Sequence, residues 1–304
     1  MRVLITGGLG FLGSFTAEKL IEKGYRVCIL DSGYTSKVGE VPGAECYPID
    51  IVWDYALFNE VPKADVVIHF AGQTKVADSM KNPYWDFIQN VLGTLRILRY
   101  MEKKGVKHII FASTSAVYGD PEKLCVNEED TTKPVSFYGL SKLVAEQYLL
   151  QYWRVGKIKP VIFRYFNIYG PRKPDNVIGI FSRCVIENRP LPVRGNGDAI
   201  RDYIYVDDVV DLNLKAVENP KLGVYNVGSG KPTKLRDLVE LFGREYGVKY
   251  VPLEPGEIQG FYADITKVKK TYRFEPKTPL RDGIRKVVEF YRRCVRDEGR
   301  NNGS

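Results

Sequence analysis

The sequence predicts an α/β protein: a doubly wound parallel sheet with a smaller second domain. In the first half of the chain, short apolar segments typical of buried strands alternate with amphipathic segments of helical periodicity. A glycine-rich turn follows the first apolar segment, and polar or small residues follow the later ones. Because the carboxyl ends of parallel strands lie at one edge of a sheet, we expect these residues to line a ligand-binding crevice.

The composition limits the class of protein. The chain has 304 residues, of which 44% are hydrophobic, so it can bury a large core in about two domains. No apolar run approaches the ~20 residues of a membrane span, and the amino terminus lacks a signal-peptide pattern. We therefore expect a soluble, cytoplasmic protein with no membrane partner.

Cysteine and histidine content narrows the chemistry. The five cysteines are scattered without a C-x-x-C pair, which argues against disulfides and a zinc site. With only His69 and His108 available, we expect no metal centre and no serine–histidine triad. The net charge of +8 suits an acidic ligand such as a nucleotide phosphate. Nucleic acid is not an expected partner, because no basic run with interleaved aromatic residues occurs.

The segment 2–13 predicts a dinucleotide site. A buried strand at 2–6 leads into Gly7, Gly10 and Gly13, and a helix follows as far as residue 21. Glycines here allow a tight turn and a close approach to a pyrophosphate, which the helix N-terminus attracts. A second strand at 25–30 ends in Asp31 at the expected spacing.

Asp31 favours NAD over NADP. An acidic residue at this strand end hydrogen-bonds a ribose diol and repels a 2′-phosphate. Arg26 and Lys37 lie nearby and keep NADP as an alternative. The carboxylate could also serve only to cap a turn.

Three later strands end in residues that suit a crevice. Segments 44–49 and 65–70 are followed by Asp50 and by Ala71-Gly72, respectively. After a long amphipathic helix at about 84–104, the strand at 108–113 ends in the hydroxyl residues Ser113, Thr114 and Ser115. These hydroxyls could hold a substrate oxygen, or they could form an ordinary Ser/Thr turn.

Tyr138 and Lys142 form a candidate acid/base pair. They are four residues apart, so they share a face if the chain from residue 140 is helical. An ammonium group favours the ionised form of a neighbouring tyrosine, which makes Tyr138 a candidate base. The same spacing also occurs by chance on many helices.

The ordered motifs resemble the extended short-chain dehydrogenases that act on nucleotide-sugars. The likeness runs from residue 1 to about 284 and is carried by segments 6–13, 90–94, 113–119, 138–142, 164–172 and 197–203. Within that family the chain is most similar to NAD-dependent UDP-glucose/UDP-galactose 4-epimerases. The resemblance implies a Rossmann-like NAD domain at 1–168, to which 202–222 returns. It implies a discontinuous α/β substrate domain at 169–201 and 223–296, and we expect a frayed tail at 297–304.

The resemblance also implies roles. Tyr138 would be the base, Lys142 would bind the nicotinamide ribose and lower the Tyr138 pKa, and Thr114 would hold the reacting 4-hydroxyl. Epimerisation would pass through a transient 4-keto sugar. The implied cofactor contacts are Gly7, Gly10, Phe11, Leu12, Gly13, Asp31, Asp50, Ile51, Phe70, Ala71, Gly72, Asn90, Ser113, Tyr138 and Lys142. The implied substrate contacts are Thr114, Ser115, Asn167, Asn176, Val177, Val193, Arg194, Arg201 and Phe261.

Several positions depart from the family pattern or bear on specificity. Dehydratases usually carry acidic residues where this chain has Ser115-Ala116, so elimination is the weaker interpretation. Arg194 replaces a usual aromatic residue and Glu254 a usual arginine, which leaves the base of the nucleotide open. The two could pair across the site, with Arg201 left to bind the diphosphate. Phe261, if it is a wall rather than core, would exclude an N-acetyl group. Lys75 could be a surface or a cofactor residue.

Other functions remain open at this point. The alternatives within catalysis are a dehydratase, another nucleotide-sugar epimerase, or a 4-keto-sugar reductase, which would need an exchangeable cofactor, usually NADPH. Outside catalysis, the fold could serve an NAD-bound sensor or an RNA-associated protein. The family resemblance also predicts a homodimer formed by the helix at 84–104 and the helix after residue 140.

Overall fold

The computed structural model describes residues 1–253 and 258–301, with side chains as far as residue 297. Its strands in chain order are β1 (Arg2–Thr6), β2 (Arg26–Leu30), β3 (Glu45–Tyr47), β4 (Val66–His69), β5 (His108–Thr114), β6 (Cys125–Val126), β7 (Lys159–Tyr165), β8 (Asn167–Tyr169), β9 (Leu191–Arg194), β10 (Ile200–Tyr205), β11 (Gly223–Val227), β12 (Pro232–Lys234), β13 (Val248–Val251) and β14 (Tyr262–Ala263). Its α-helices are α1 (Phe11–Glu22), α2 (Ala56–Asn59), α3 (Val76–Lys81), α4 (Pro83–Phe87), α5 (Gly93–Lys104), α6 (Phe137–Arg154), α7 (Val177–Ile186), α8 (Val206–Glu218), α9 (Leu235–Phe242), α10 (Thr266–Tyr272) and α11 (Leu280–Asn301).

A seven-stranded parallel sheet forms the centre of the molecule. Its strand order is β11-β7-β5-β4-β1-β2-β3, which confirms the predicted doubly wound, Rossmann-like fold. In β1, Val3 pairs with Val27 of β2 on one side and with Val66 of β4 on the other. The winding reverses between β1 and β4, so a crevice opens at the carboxyl ends of these two strands.

Helices cover both faces of this sheet. Alternate residues of β1 face opposite sides, so Val3 and Ile5 pack with α1 and α8 while Leu4 packs with α5 and α6. All three side chains are fully buried, as expected for a central parallel strand. A separate apolar cluster joins α7, α9 and α11 with β9 and β10.

Three elements differ from the expected boundaries. Gly223–Val227 was assigned to the second domain, but it pairs with Lys159–Tyr165 as an edge strand of the central sheet. The predicted helix at 84–104 is divided by a π-helical turn at Ile88–Leu92. Helix α11 extends to Asn301, into the segment 297–304 that is expected to fray.

Candidate active site

The glycine turn after β1 forms a cradle that fits a pyrophosphate. Gly7 has a φ of +69°, and a Cβ there would lie 2.8 Å from the backbone nitrogen of Ala71. A Cβ on Gly13 would overlap the carbonyl oxygen of Gly7. Helix α1 begins directly after this turn, and its N-cap Gly10 offers no side-chain hydrogen bond, so the first amides face the crevice without a competing cap.

Asp31 connects this turn to the loop that follows β2. One carboxylate oxygen accepts a hydrogen bond from the backbone N–H of Leu9 at 2.9 Å. The other accepts from the backbone of Gly33 and the hydroxyl of Ser36, both at 2.9 Å. Asp31 therefore caps a turn and also lines the cavity, so the two roles considered from the sequence are compatible.

A single cavity of about 1670 Å³ runs along the carboxyl edge of the sheet. Most of the predicted site residues line it: Gly7, Phe11, Leu12, Gly13, Asp31, Asp50, Ile51, Phe70, Ala71, Gly72, Ser113, Thr114, Ser115, Tyr138, Lys142, Asn167, Asn176, Arg194, Arg201 and Phe261. Lys75 also lines the cavity. Four predicted contacts do not line it: Gly10, Asn90, Val177 and Val193.

Two of these four belong to the supporting structure. Val193 is 2% exposed and its side chain belongs to the third apolar cluster, so its contact with substrate stays a prediction. Asn90 lies in the π-helical turn beneath Gly72, where its amide Nδ2 donates to Asp86 Oδ1 at 3.1 Å and to Ser141 Oγ at 2.9 Å. Its Oδ1 lies 2.5 Å from the position of a Cβ on Gly72, so only glycine fits above it.

Tyr138 meets Thr114 because α6 approaches the end of β5 closely. Ser136 caps the helix through a 3.1 Å hydrogen bond from the Gly139 N–H to Ser136 Oγ. A Cβ on Gly139 would lie 2.5 Å from the carbonyl oxygen of Ala116, so a larger residue would push the helix away. Tyr138 and Thr114 are hydrogen-bonded through their side chains. Thr114 Oγ1 also accepts from the Ala116 N–H at 3.1 Å.

Burial dominates the pKa of both members of the Tyr138–Lys142 pair. It raises the pKa of Tyr138 to about 12, against a smaller lowering by Thr114, and Asp86 adds to the rise. Burial lowers the pKa of Lys142 to about 8, while Asp86 and Glu146 oppose this shift. The lowering of the Tyr138 pKa by Lys142 stays a prediction.

A buried ion pair beneath the site was not predicted from the sequence. Glu146, one turn after Lys142, accepts a hydrogen bond from the hydroxyl of Ser113. It also pairs with Arg164, whose Nη2 lies 2.7 Å from Glu146 Oε2. Arg164 donates in turn to the hydroxyl of Tyr118 at 3.0 Å. A charged residue inside the otherwise apolar β7 was the available signal for this network.

The substrate side of the cavity carries a cation and an aromatic wall. Arg201 Nη1 donates to the carbonyl oxygen of Ile200 at 2.7 Å, and the residue lines the cavity. Phe261 is 5% exposed and makes edge-on contacts with Tyr118 and Phe166 at centroid distances of 6.0 and 5.7 Å. Phe261 therefore belongs to the apolar core and also forms part of the cavity wall. Glu254, expected to pair with Arg194, lies outside the described residues.

Neither membrane spans nor metal clusters occur in the part of the chain that the structure describes. No helix at 1–253 or 258–301 is both long and apolar enough to cross a membrane. Within the same ranges, no three His, Cys, Asp or Glu side chains lie together as a metal site requires.

Comparison with known proteins places this geometry in a family. The chain is 39% identical over 300 residues to a putative UDP-glucose 4-epimerase of Methanocaldococcus jannaschii, covering 95% of this chain and 97% of that one. A UDP-glucose 4-epimerase of Thermotoga maritima, solved with UDP-glucose, superposes with a TM-score of 0.93 at 35% identity, covering 97% and 100%. TunA, an NAD-dependent NDP-hexosamine 5,6-dehydratase, superposes with a TM-score of 0.91 at 27% identity, covering 96% and 98%.

The family model that describes NAD-dependent epimerases and dehydratases matches residues 3–228. This match covers the glycine cradle, Asp31, the end of β5 and the Tyr138–Lys142 pair. The cofactor is therefore NAD, and the chain belongs to the NAD-dependent epimerase/dehydratase family that acts on nucleotide-sugars.

Proposed function

We propose that this protein interconverts a nucleotide-sugar and its 4-epimer, with UDP-glucose and UDP-galactose as the first pair to test. The observation that carries the proposal is the hydrogen-bonded Thr114–Tyr138 pair in the cavity, with Lys142 on the same helix. The relatives named as UDP-glucose 4-epimerases support the choice of substrate.

The mechanism assigns proton transfer to Tyr138. When bound, NAD would accept the C4 hydride and return it to the opposite face, and its positively charged nicotinamide would favour the ionised tyrosine. Tyr138 then removes the proton of the sugar 4-hydroxyl, and Thr114 holds that oxygen. Once the 4-keto sugar has turned over in the cavity, Tyr138 would return the proton to the 4-oxygen. The cavity is large enough to hold a dinucleotide and a nucleotide-sugar together.

Residues at the far end of the cavity bind the rest of the substrate. Arg201 donates to the diphosphate, and Asn167, which is anchored by a 3.1 Å hydrogen bond to the Asp202 carbonyl, contacts the sugar side. The ring of Phe261 is fixed by two neighbouring aromatic rings and limits the space beside the hexose. We therefore expect glucose and galactose to be accepted and N-acetylated sugars to be rejected.

One incubation tests the reaction. Purified protein receives UDP-galactose without added NAD, and the products are separated by chromatography. We expect UDP-glucose to accumulate to equilibrium, because the cofactor is regenerated in every cycle. Tyr138→Phe should abolish turnover while bound NAD is retained, and near-normal turnover by this variant would refute the assignment of the base.

Elimination is the second candidate, because a dehydratase superposes closely on the chain. The turn 115–118 after Thr114 carries no carboxylate, whereas loss of water needs an additional acid and base. Mass spectrometry of the same incubation distinguishes the two, since a dehydratase product lacks one water. The affinities of the protein for UDP, dTDP and GDP show which nucleotide base it prefers, and a preference for GDP would refute the choice of uridine.

We further propose that the protein is a homodimer through α4 and α6. These helices pack on each other and leave large apolar side chains exposed. The exposed residues are Tyr84, Phe87, Leu140, Tyr148 and Trp153. Aromatic residues of this kind are enriched in protein interfaces.

A further inference from the structure

A buried carboxylate that the proposed mechanism does not use lies beneath the Tyr138–Lys142 pair. Asp86 is in α4, and its side chain is 1% exposed. Its Oδ1 accepts the hydrogen bond from Asn90 Nδ2 at 3.1 Å, whereas its Oδ2 is buried without a hydrogen-bond partner. A carboxylate in this position requires a compensating positive charge nearby to remain ionised.

Lys142 is a buried cation on the neighbouring helix α6. Helices α4 and α6 pack together, and Asn90 connects them because its Nδ2 also donates to Ser141 Oγ at 2.9 Å. Asn90 Oδ1 and Lys142 Nζ lie 2.5 and 3.9 Å from one point, the position of a Cβ on Gly72. The ammonium nitrogen therefore lies no more than about 6.4 Å from Oδ1 of the amide that holds Asp86. Consistent with this arrangement, burial raises the pKa of Asp86, whereas the Ser141 hydroxyl and, less strongly, the charge of Lys142 lower it.

The other charged groups around Lys142 are already compensated or neutral. Glu146 also lies near Lys142, but it is paired with Arg164 at 2.7 Å. His69 of β4 is neutral, because burial and Lys142 lower its pKa to about 3. Among the residues with described side chains, Asp86 is thus the buried anion near Lys142 that has no other cationic partner. The charged residues on α3, which packs against α4, are Asp78 and Lys81.

We infer that Asp86 is the counterion of Lys142 and sets the protonation state of the Tyr138–Lys142 pair. It is a positioning residue, because it does not line the cavity. Its negative charge holds the proton on the ammonium group and also disfavours the tyrosinate. Removal of this charge should therefore make both protons easier to lose. The kinetic half of this inference rests on the proposed function.

Asp86→Asn tests the inference with little change in shape. In the pH dependence of kcat for UDP-galactose, we expect the acidic and the alkaline limbs both to move to lower pH, by about one unit. Asp86→Glu keeps the charge, so its limbs should stay close to those of the wild type even if kcat falls. Glu289→Gln, an exposed carboxylate on α11, is the matched control and should change nothing. Unmoved limbs in Asp86→Asn would overturn the inference.

A second measurement needs no substrate. NMR of protein labelled with ¹³C in the lysine side chains follows the titration of Lys142, whose signal is assigned by its loss in Lys142→Met. We expect the midpoint in Asp86→Asn to lie about one unit below that of the wild type. An unchanged or higher midpoint would contradict the role of Asp86. If the wild type converts no nucleotide-sugar, the proposed function fails, but this titration still decides the role of the carboxylate.

Discussion

Replacing Lys142 with methionine should raise stability while it abolishes turnover. Lys142 is 4% exposed, and burial lowers its pKa from 10.5 to about 8. Each pKa unit corresponds to about 1.4 kcal/mol, so at neutral pH the buried charge costs roughly 3 kcal/mol of folding free energy. Methionine has a similar length and no charge, and it packs well in irregular apolar surroundings.

This cost is already net of the attraction to Asp86 and Glu146, which oppose the shift. Imperfect packing of the methionine side chain offsets part of the gain, so we expect Lys142→Met to unfold at a free energy about 1–2 kcal/mol above the wild type at pH 7. The double variant Lys142→Met/Asp86→Asn removes both charges and should gain more than the single one.

The pH dependence gives the sharper test. The folded-state pKa of Lys142 is lowered, so between about pH 8 and 10.5 the unfolded chain binds more protons than the folded one. The contribution of Lys142 to the free energy of unfolding of the wild type therefore rises with pH in that window. The extra stability of Lys142→Met over the wild type should be complete below pH 8 and decrease above it. Guanidinium unfolding at several pH values measures this, with Lys270→Met on the surface of α10 as control. A destabilised variant at pH 7, or an advantage that persists unchanged to pH 10.5, would refute the reasoning.

Three further substitutions test the cradle, the wall and the dimer. Gly13→Ala places a methyl group against the Gly7 carbonyl and should weaken NAD binding by roughly a hundredfold. The NAD content of the protein after gel filtration measures this effect. In the control Gly39→Ala the added methyl group meets open space, so this variant should bind NAD normally. Phe261→Leu should raise turnover of UDP-N-acetylglucosamine at least ~10-fold at a stability loss of about 1–2 kcal/mol, and unchanged discrimination would exclude Phe261 as the wall. Trp153→Glu should convert the dimer to a monomer in light scattering, and a monomeric wild type would refute the proposed interface.

Elements with a local signature were predictable from the sequence. The glycine turn, the strand ends and the spacing of Tyr138 and Lys142 depend on residues close in the chain, and the structure brings them to one cavity. The segment 223–227 was recognised as a strand, but its partner was not, since nothing in its own residues specifies pairing with β7. The π-helical turn at Ile88–Leu92 was missed because its apolar residues continue the helical pattern on both sides.

Electrostatics were predicted least well, because they depend on burial in the whole fold. The sequence shows that Lys142 is four residues from Tyr138, which alone favours the tyrosinate. It does not show that both groups are enclosed, so that burial makes the largest contribution to the pKa shift of each. Nor does it show that Asp86, over 50 residues earlier in the chain, is buried near the same pair, because that placement depends on the packing of α4 against α6.

Two buried carboxylates, one on each side of the cavity, join the segments that form it, although neither carboxylate lines the cavity. Glu146 binds Ser113 and Arg164, and so fixes the end of β5 against α6 on the catalytic side. On the substrate side, the fully buried Asp202 accepts hydrogen bonds from the Ser229 hydroxyl at 2.6 Å and from the Ala263 N–H at 3.1 Å. Asp202 thus fastens the strand of Arg201 to the segment that carries Phe261. Because each carboxylate joins segments distant in sequence, the relative positions of base, diphosphate ligand and wall depend on buried groups that the reaction itself does not use.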